Sequence, residues 1–381
     1  MPLRKVVVKI RLTPASLRKA ALKIHLCLAL TAGIFLTMLG LTGSIMAFEG
    51  DIDHWLHPEL WYVTPGRRLL PENDLVSIAQ NRFRPALVFA VQFPRASNLA
   101  QVLRMTNGTI VYLNPYDGTV LGDTVGTSRT DQVLIYVHQL HLSLVPDPQS
   151  APQLAQAGKV VVGVATLFLF LLVPTGLILW WRRKRASIRL KASNFKVPWS
   201  MFFHEAHQVM GIYASLFLWI ASITGLLIGF DFGPTLLYAI TRSSPQAPLQ
   251  PFPSVPIPGA TPLMADQVLQ IARRALPNAS PAMMMLPQRP AASFTVLMRV
   301  PEETSQIVHS AVIIDQYSGK VLNVRNYLTD SPGYRLIRLN RSIHNGDIFG
   351  LPSRILVSLS SLALVAMVIT GLVIWWKKLA T

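Results

Sequence analysis

Cysteine is almost missing from this chain. The single one, Cys27, lies inside an apolar run, so no disulfide can form within the chain. No Cys-x-x-Cys-His occurs, which excludes a covalently attached c-type haem. No GxGxxG or Walker sequence is present, and so no recognisable nicotinamide, flavin or nucleotide domain. Neither a Ser/His/Asp arrangement nor HExxH is found. Charge is scarce too. Only 14% of residues are charged, and acidic ones are the scarcer kind, 18 Asp and Glu against 35 Lys and Arg.

What is abundant is apolar sequence, 51% of the chain, in long runs. Charges are costly in hydrocarbon, so long uncharged runs indicate a polytopic α-helical membrane protein in contact with a lipid bilayer. The net charge of +17 raises nucleic acid as a partner, but the distribution of the cations argues for none. Arg4, Lys5, Lys9, Arg11, Arg18, Lys19 and Lys23 flank the first run. Arg182, Arg183, Lys184, Arg185, Arg189, Lys191 and Lys196 lie between the second and third, and Lys377 and Lys378 follow the fourth. That is the positive-inside pattern, with both termini cytoplasmic. The first run is too long for a signal peptide and lacks a cleavage pattern, so it is expected to remain as a span.

The chain divides accordingly. Residues 1–16 read as a basic cytoplasmic tail and 17–48 as the first transmembrane helix. Residues 49–130 turn polar; a helix over 70–83, short strands over 87–93, 100–106 and 109–113, and the turn at Asp117-Gly118 indicate a small external α+β domain. Residues 131–156 hold an interfacial helix and loop, and 157–181 form the second span. A basic cytoplasmic loop, 182–200, leads to the third span, 201–230. The external segment 231–345 opens on a Pro/Ser-rich linker (243–262) without regular structure. It then repeats the earlier order: a helix over 263–276, strands near 293–300 and 307–314, and a turn at Ser318-Gly319. Residues 352–376 form the fourth span and 377–381 a cytoplasmic tail.

The repetition is the main organising feature. His25 to Phe48 and His207 to Phe230 each begin with histidine, carry Thr-Gly at the same offset (Thr42-Gly43, Thr224-Gly225) and end in Phe. The second and fourth spans share Thr-Gly and Trp-Trp (Thr175-Gly176, Trp180-Trp181; Thr370-Gly371, Trp375-Trp376). Four transmembrane helices therefore read as a tandem, parallel duplication, with a pseudo-two-fold axis along the membrane normal. From His25 to Phe48, at about 1.5 Å per residue, is roughly 34 Å, enough to cross the hydrocarbon core.

The duplication sorts the nine histidines. His25 aligns with His207 at the cytoplasmic ends of the first and third spans. His141 aligns with His344, just before the second and fourth spans, on the external side. A parallel two-fold puts equivalent residues at equal depth, facing each other, which is the geometry of a porphyrin iron held by one imidazole on each face. Two pairs imply two non-covalent b-type haems, one near each membrane surface. His138 and His204 each lie three residues before a paired histidine and share its helical face. Either can displace its neighbour as ligand or bond a propionate. Arg335, Arg338 and Arg341 precede His344 at helical spacing, suited to propionates or to lipid headgroups. His54, His57 and His309 fall in external segments. Met283-Met284-Met285 reads as an apolar strand before a copper site, and the span glycines as aids to close helix packing or room for a flat macrocycle.

These residues carry a resemblance. Arg18-Lys19-Ala20…His25…Leu41-Thr42-Gly43, His204-Glu205…His207…Thr224-Gly225, His138-x-x-His141, Gly176…Trp180-Trp181, Gly371…Trp375-Trp376 and the two hairpins resemble, in that order, the PepSY-associated transmembrane proteins, also called iron-regulated membrane proteins. The likeness covers nearly the whole chain. The length and four-span layout look most like the inner-membrane ferric-siderophore (ferrioxamine-type) reductases of Gram-negative bacteria. The resemblance implies two PepSY-like periplasmic domains and a dihaem protein that carries electrons outward. It would reduce a ferric siderophore in the periplasm and release Fe(II). Its haem-ligand positions fall on His25, His207, His141 and His344. With no nucleotide domain in the chain, electrons must come from a separate cytoplasmic or quinol donor.

Overall fold

The computed structural model describes residues 14–124, 129–182, 199–246, 252–302 and 310–379. Helix α1 (Pro14–Met46) is followed by two short helices, α2 (Glu49–Leu56) and α3 (Pro58–Trp61), and by α4 (Glu72–Arg82). Strands β1 (Val88–Gln92), β2 (Gln101–Met105), β3 (Ile110–Leu113) and β4 (Val120–Asp123) come next, then α5 (Arg129–Ser143) and α6 (Pro152–Arg182). Helices α7 (Trp199–Gly229), α8 (Phe232–Ile240) and α9 (Ala265–Ala275) precede β5 (Ser280–Met285), β6 (Phe294–Arg299), β7 (Ser310–Ile314) and β8 (Val321–Arg325). Helices α10 (Pro332–Asn345) and α11 (Leu351–Leu379) close the chain.

α1, α6, α7 and α11 are long and apolar enough to cross a membrane. They form a closed square in which α1 and α7 each pack against α6 and α11. α1 and α7 therefore face each other across a diagonal. The bundle core is small-jointed: Ala32, Leu36, Ala165, Leu169, Ala214, Leu218 and Leu364. Large apolar side chains such as Ile34 and Leu216 point outward, as a lipid-facing surface requires. Between apolar helices in lipid, close backbone approach supplies the packing. A Cβ on Gly40 would stand 2.7 Å from the Ser361 carbonyl, and one on Gly33 would stand 3.3 Å from Val368. Those two glycines serve helix packing, as expected.

The strands make one antiparallel sheet in the order β4-β3-β2-β1-β5-β6-β7-β8. The two expected α+β units thus share a single sheet, joined where Val91 faces Met284 across β1 and β5. α4 and α9 contribute Leu75, Ala79, Val268 and Ala272 to the same core as Val91, Leu103, Met284 and Met298. In the methionine run, Met284 is fully buried and Met285 is exposed, so the run is sheet packing at the join. Positive φ at Gly118 and Gly319 turns the two hairpins, where a Cβ would meet Ile78 or Ile271.

The helices of the two halves cap each other. An α-helix leaves its first N–H groups without internal partners. The Asp266 carboxylate on α9 accepts from the N–H of Glu72 (3.0 Å) and Asn73 (3.2 Å) at the start of α4. In return, Asn73 Oδ1 accepts from the N–H of Ala265 (2.8 Å) at the start of α9. Asn73 and Asp266 hold the same place in their helices, third after Leu70 and Leu263. Beneath this joint the Glu72 carboxylate accepts from buried Gln101. Burial, opposed by that bond and assisted by Asp266, pushes the Glu72 pKa up to about 7.

α2, α3 and α8 were not expected as helices. Each is short and follows a long helix or a turn, where periodicity gives little warning. The described parts of 243–262 have no regular structure but are held down: Ser254 and Asp315 bond across to the Gln316 and Val255 N–H groups. The basic tail and the loop between α6 and α7 lie, apart from their helical ends, outside the described residues.

Candidate functional site: two histidine pairs

The bundle brings four histidines together as two pairs. His25 on α1 and His207 on α7 meet across the diagonal, with ring centres 6.4 Å apart and planes at 84°. His141 on α5 and His344 on α10 meet with ring centres also 6.4 Å apart and planes at 56°. α5 packs against α1, and α10 against α7, so the same diagonal carries both pairs.

Each ring is seated on a neighbouring spanning helix through Nδ1. For His25 the partner is Thr175 Oγ1 at 3.0 Å, and for His207 it is Thr370 Oγ1 at 3.0 Å with the Met367 carbonyl also at 3.0 Å. His141 meets Thr42 Oγ1 at 2.9 Å, and His344 meets Thr224 Oγ1 at 2.9 Å. The residue after each threonine is glycine. A Cβ at Gly176, Gly371, Gly43 or Gly225 would come within 3.3, 3.4, 3.1 or 3.1 Å of the seated ring's Cε1. Thr-Gly is therefore a seat for an imidazole: hydroxyl for Nδ1, bare backbone for the ring edge. No described residue bonds Nε2 of any of the four rings.

This is what reading the sequence missed. The Thr-Gly pairs served there only as marks of repetition, and their glycines were assigned to helix packing or macrocycle room. The available signal was that the same dipeptide occurs once in each of the four spans. The separation of the pairs follows from α1, which carries His25 and the seat of His141, Thr42. Seventeen residues at about 1.5 Å put them about 26 Å apart.

The remaining candidates stand apart from the pairs. His138 Nδ1 is 3.2 Å from Glu49, a contact that raises its pKa against the opposing effect of burial. His204 lies one turn from His207 and in neither ring pair. His54 stacks on Trp61 at 4.2 Å, and His57 is 3.6 Å from Glu59. His309 lies outside the described residues. Arg338 is buried, 3.1 Å from Asp330 and 4.2 Å over the Tyr334 ring. It anchors α10, and with it His344. Arg335 and Arg341 are exposed.

α5 and α10 lie outside the spanning helices, and burial lowers the pKa of His141, to about 4, and of His344. The like charge of His344 adds to the effect on His141. Both rings are neutral at ordinary pH, the form in which imidazole ligates a metal. No group of three or more His, Cys, Asp or Glu suited to a metal ion exists among the described residues. Each pair offers two nitrogens.

A protein-family model described as the PepSY-associated TM region matches residues 22–378. No curated protein matches the chain.

Proposed function

This chain belongs to the PepSY-associated TM family, and from that premise we propose that it is a transmembrane dihaem electron conduit that reduces a ferric siderophore. One observation carries the reading: two histidine pairs, each with ring centres 6.4 Å apart. A spacing of 6.4 Å between ring centres would suit one metal held by an imidazole from each side of a pair. With no third His, Cys, Asp or Glu grouped at either pair among the described residues, each site would suit a metal that brings its own macrocycle. The donor set fits haem held by His25 with His207 and by His141 with His344. When bound, haem supplies one-electron transfer.

The chain's own residues do the rest. Thr175, Thr370, Thr42 and Thr224 hold the imidazoles, and the apolar bundle lowers the local dielectric. Lys377 and Lys378 at the end of α11 support a cytoplasmic position for the His25/His207 pair, by the positive-inside rule. Electrons from a cytoplasmic or quinol donor would enter there and leave at His141/His344 toward the sheet, taken to be periplasmic. Exposed Arg341, one turn before His344, would be a cation available to the macrocycle's carboxylates, as would His138. Reduction suits release, because Fe(II) binds a hard oxygen chelator far more weakly than Fe(III). The substrate class rests on the layout of the chain, a bacterial inner-membrane reductase in outline.

The test is an optical spectrum of the purified protein. A Soret band with reduced-minus-oxidised haem features is expected, and a colourless protein would leave the spans as anchors of a non-redox PepSY module. His25→Ala and His344→Ala should each lose about half the haem per chain; full retention in both rejects these ligands. Oxidation of the reduced protein by a ferric hydroxamate then tests the substrate class.

A further inference from the structure

The four seats share more than an Nδ1 contact. Each threonine hydroxyl also donates back into its own helix. Thr42 Oγ1 is 2.7 Å from the Met38 carbonyl, Thr175 3.0 Å from that of Leu171, Thr224 2.8 Å from that of Ile220 and Thr370 2.8 Å from that of Ala366. A hydroxyl has one proton. With that proton given to a carbonyl four residues back, Oγ1 meets the imidazole as an acceptor. A second acceptor stands beside it. At the His207 seat this is the Met367 carbonyl, three residues before Thr370 and 3.0 Å from Nδ1, and Leu172, Leu39 and Ala221 hold the corresponding place on the helices that seat His25, His141 and His344. A carbonyl cannot donate. Nδ1 must therefore carry the proton at His207, and the same threonine geometry points to that proton at the other three seats.

We propose that Thr42, Thr175, Thr224 and Thr370 are positioning residues that lock their four imidazoles in the Nδ1–H tautomer and leave four Nε2 lone pairs as the ligating atoms. That those lone pairs meet iron rests on the haem reading above; the tautomer does not. The acceptors are neutral, a hydroxyl and a carbonyl, so they orient the ring without drawing it toward imidazolate as a carboxylate partner would. The following glycine belongs to the same device. A Cβ there, 3.1–3.4 Å from the ring's Cε1, would crowd the ring edge against the helix. One dipeptide, used four times, thus sets ring depth, ring orientation and proton position on both halves of the chain.

The experiment uses the full chain in nanodiscs, with ¹⁵N-histidine, before and after addition of iron protoporphyrin. In the haem-free protein, ¹⁵N shifts should show four histidines as pure Nδ1–H tautomers. Nε2–H or mixed tautomers at these four would overturn the proposal whether or not haem binds. Thr224→Val keeps the side-chain shape and removes the acceptor. It should mix the His344 tautomers and weaken haem uptake at that pair about 10–100-fold, and Thr224→Ser should restore both. Thr370→Val repeats the test at His207 should the first variant fail to fold. Unchanged tautomer and unchanged haem affinity in the folded variant would overturn the role. Intact tautomers with no haem uptake by the wild type would instead reject the haem reading alone.

Discussion

Glu72→Gln offers a test of the joint between the two halves of the sheet, independent of any cofactor. Glu72 sits at the start of α4, where Asp266 caps the helix and Gln101 donates to the Glu72 carboxylate. Burial first, with Asp266 adding and Gln101 opposing, raises its pKa from 4.5 to about 7. The unfolded chain releases this proton near its ordinary pKa, while the folded chain holds it until about 7. Between these values the folded state binds more protons, so stability falls as pH rises from about 4.5 to 7 and is level beyond. At 1.36 kcal/mol per unit, the raised pKa costs at most about 3 kcal/mol above neutrality. Glutamine keeps the acceptor for Gln101 and never ionises. The variant should match the wild type at pH 5 and exceed it by up to about 3 kcal/mol at pH 8. Amide exchange at Asn73 and Ala265, followed in the full chain from pH 5 to 8.5, reads this opening locally. An offset equal at both ends of the range, or one that grows toward acid, would refute the reasoning.

Three further outcomes follow from the same geometry. Gly43→Val or Gly225→Val puts side-chain carbon where a Cβ is already 3.1 Å from a seated ring; each should cost the outer pair its haem and spare His25 and His207, by haem stoichiometry and spectra. Arg338→Met takes the nearer of two guanidinium groups from buried Asp330 and leaves Arg325 at 3.6 Å, so it should cost about 1–3 kcal/mol in denaturant unfolding, less than a fully broken buried pair. Glu49→Gln removes the charge that helps raise the His138 pKa, so the His138 titration should move down, as read by ¹⁵N shifts.

The spans were legible because lipid imposes a one-dimensional rule: about twenty apolar residues with cations on one side. The hairpins were legible from Asp117-Gly118 and Ser318-Gly319, since glycine relieves the strain of positive φ there. The repeated pattern also matched His25 with His207 and His141 with His344, whose rings lie 6.4 Å apart in the fold. Short helices such as α3 (Pro58–Trp61) were not legible, being set by neighbours rather than by period. Arg338 misled for the same reason. Its spacing from His344 suited a propionate or a lipid headgroup, but Asp330 in the turn before α10 and Tyr334 one turn earlier on α10 hold it as an anchor.

The amino-acid sequence alone therefore determined that the chain is a polytopic membrane protein with four helices long and apolar enough to span, and suggested which histidines to pair. Those properties depend on composition, local period and likeness, all of which are linear. Tertiary structure decided how far apart the paired rings stand, which nitrogen of each is engaged, and that the two α+β units are one sheet sewn by each other's helix caps. It also gave Thr-Gly its meaning. Thr42 lies 99 residues from His141 and Thr175 lies 150 from His25. Only packing of one helix on another brings a hydroxyl and a bare backbone to an imidazole that far along the chain.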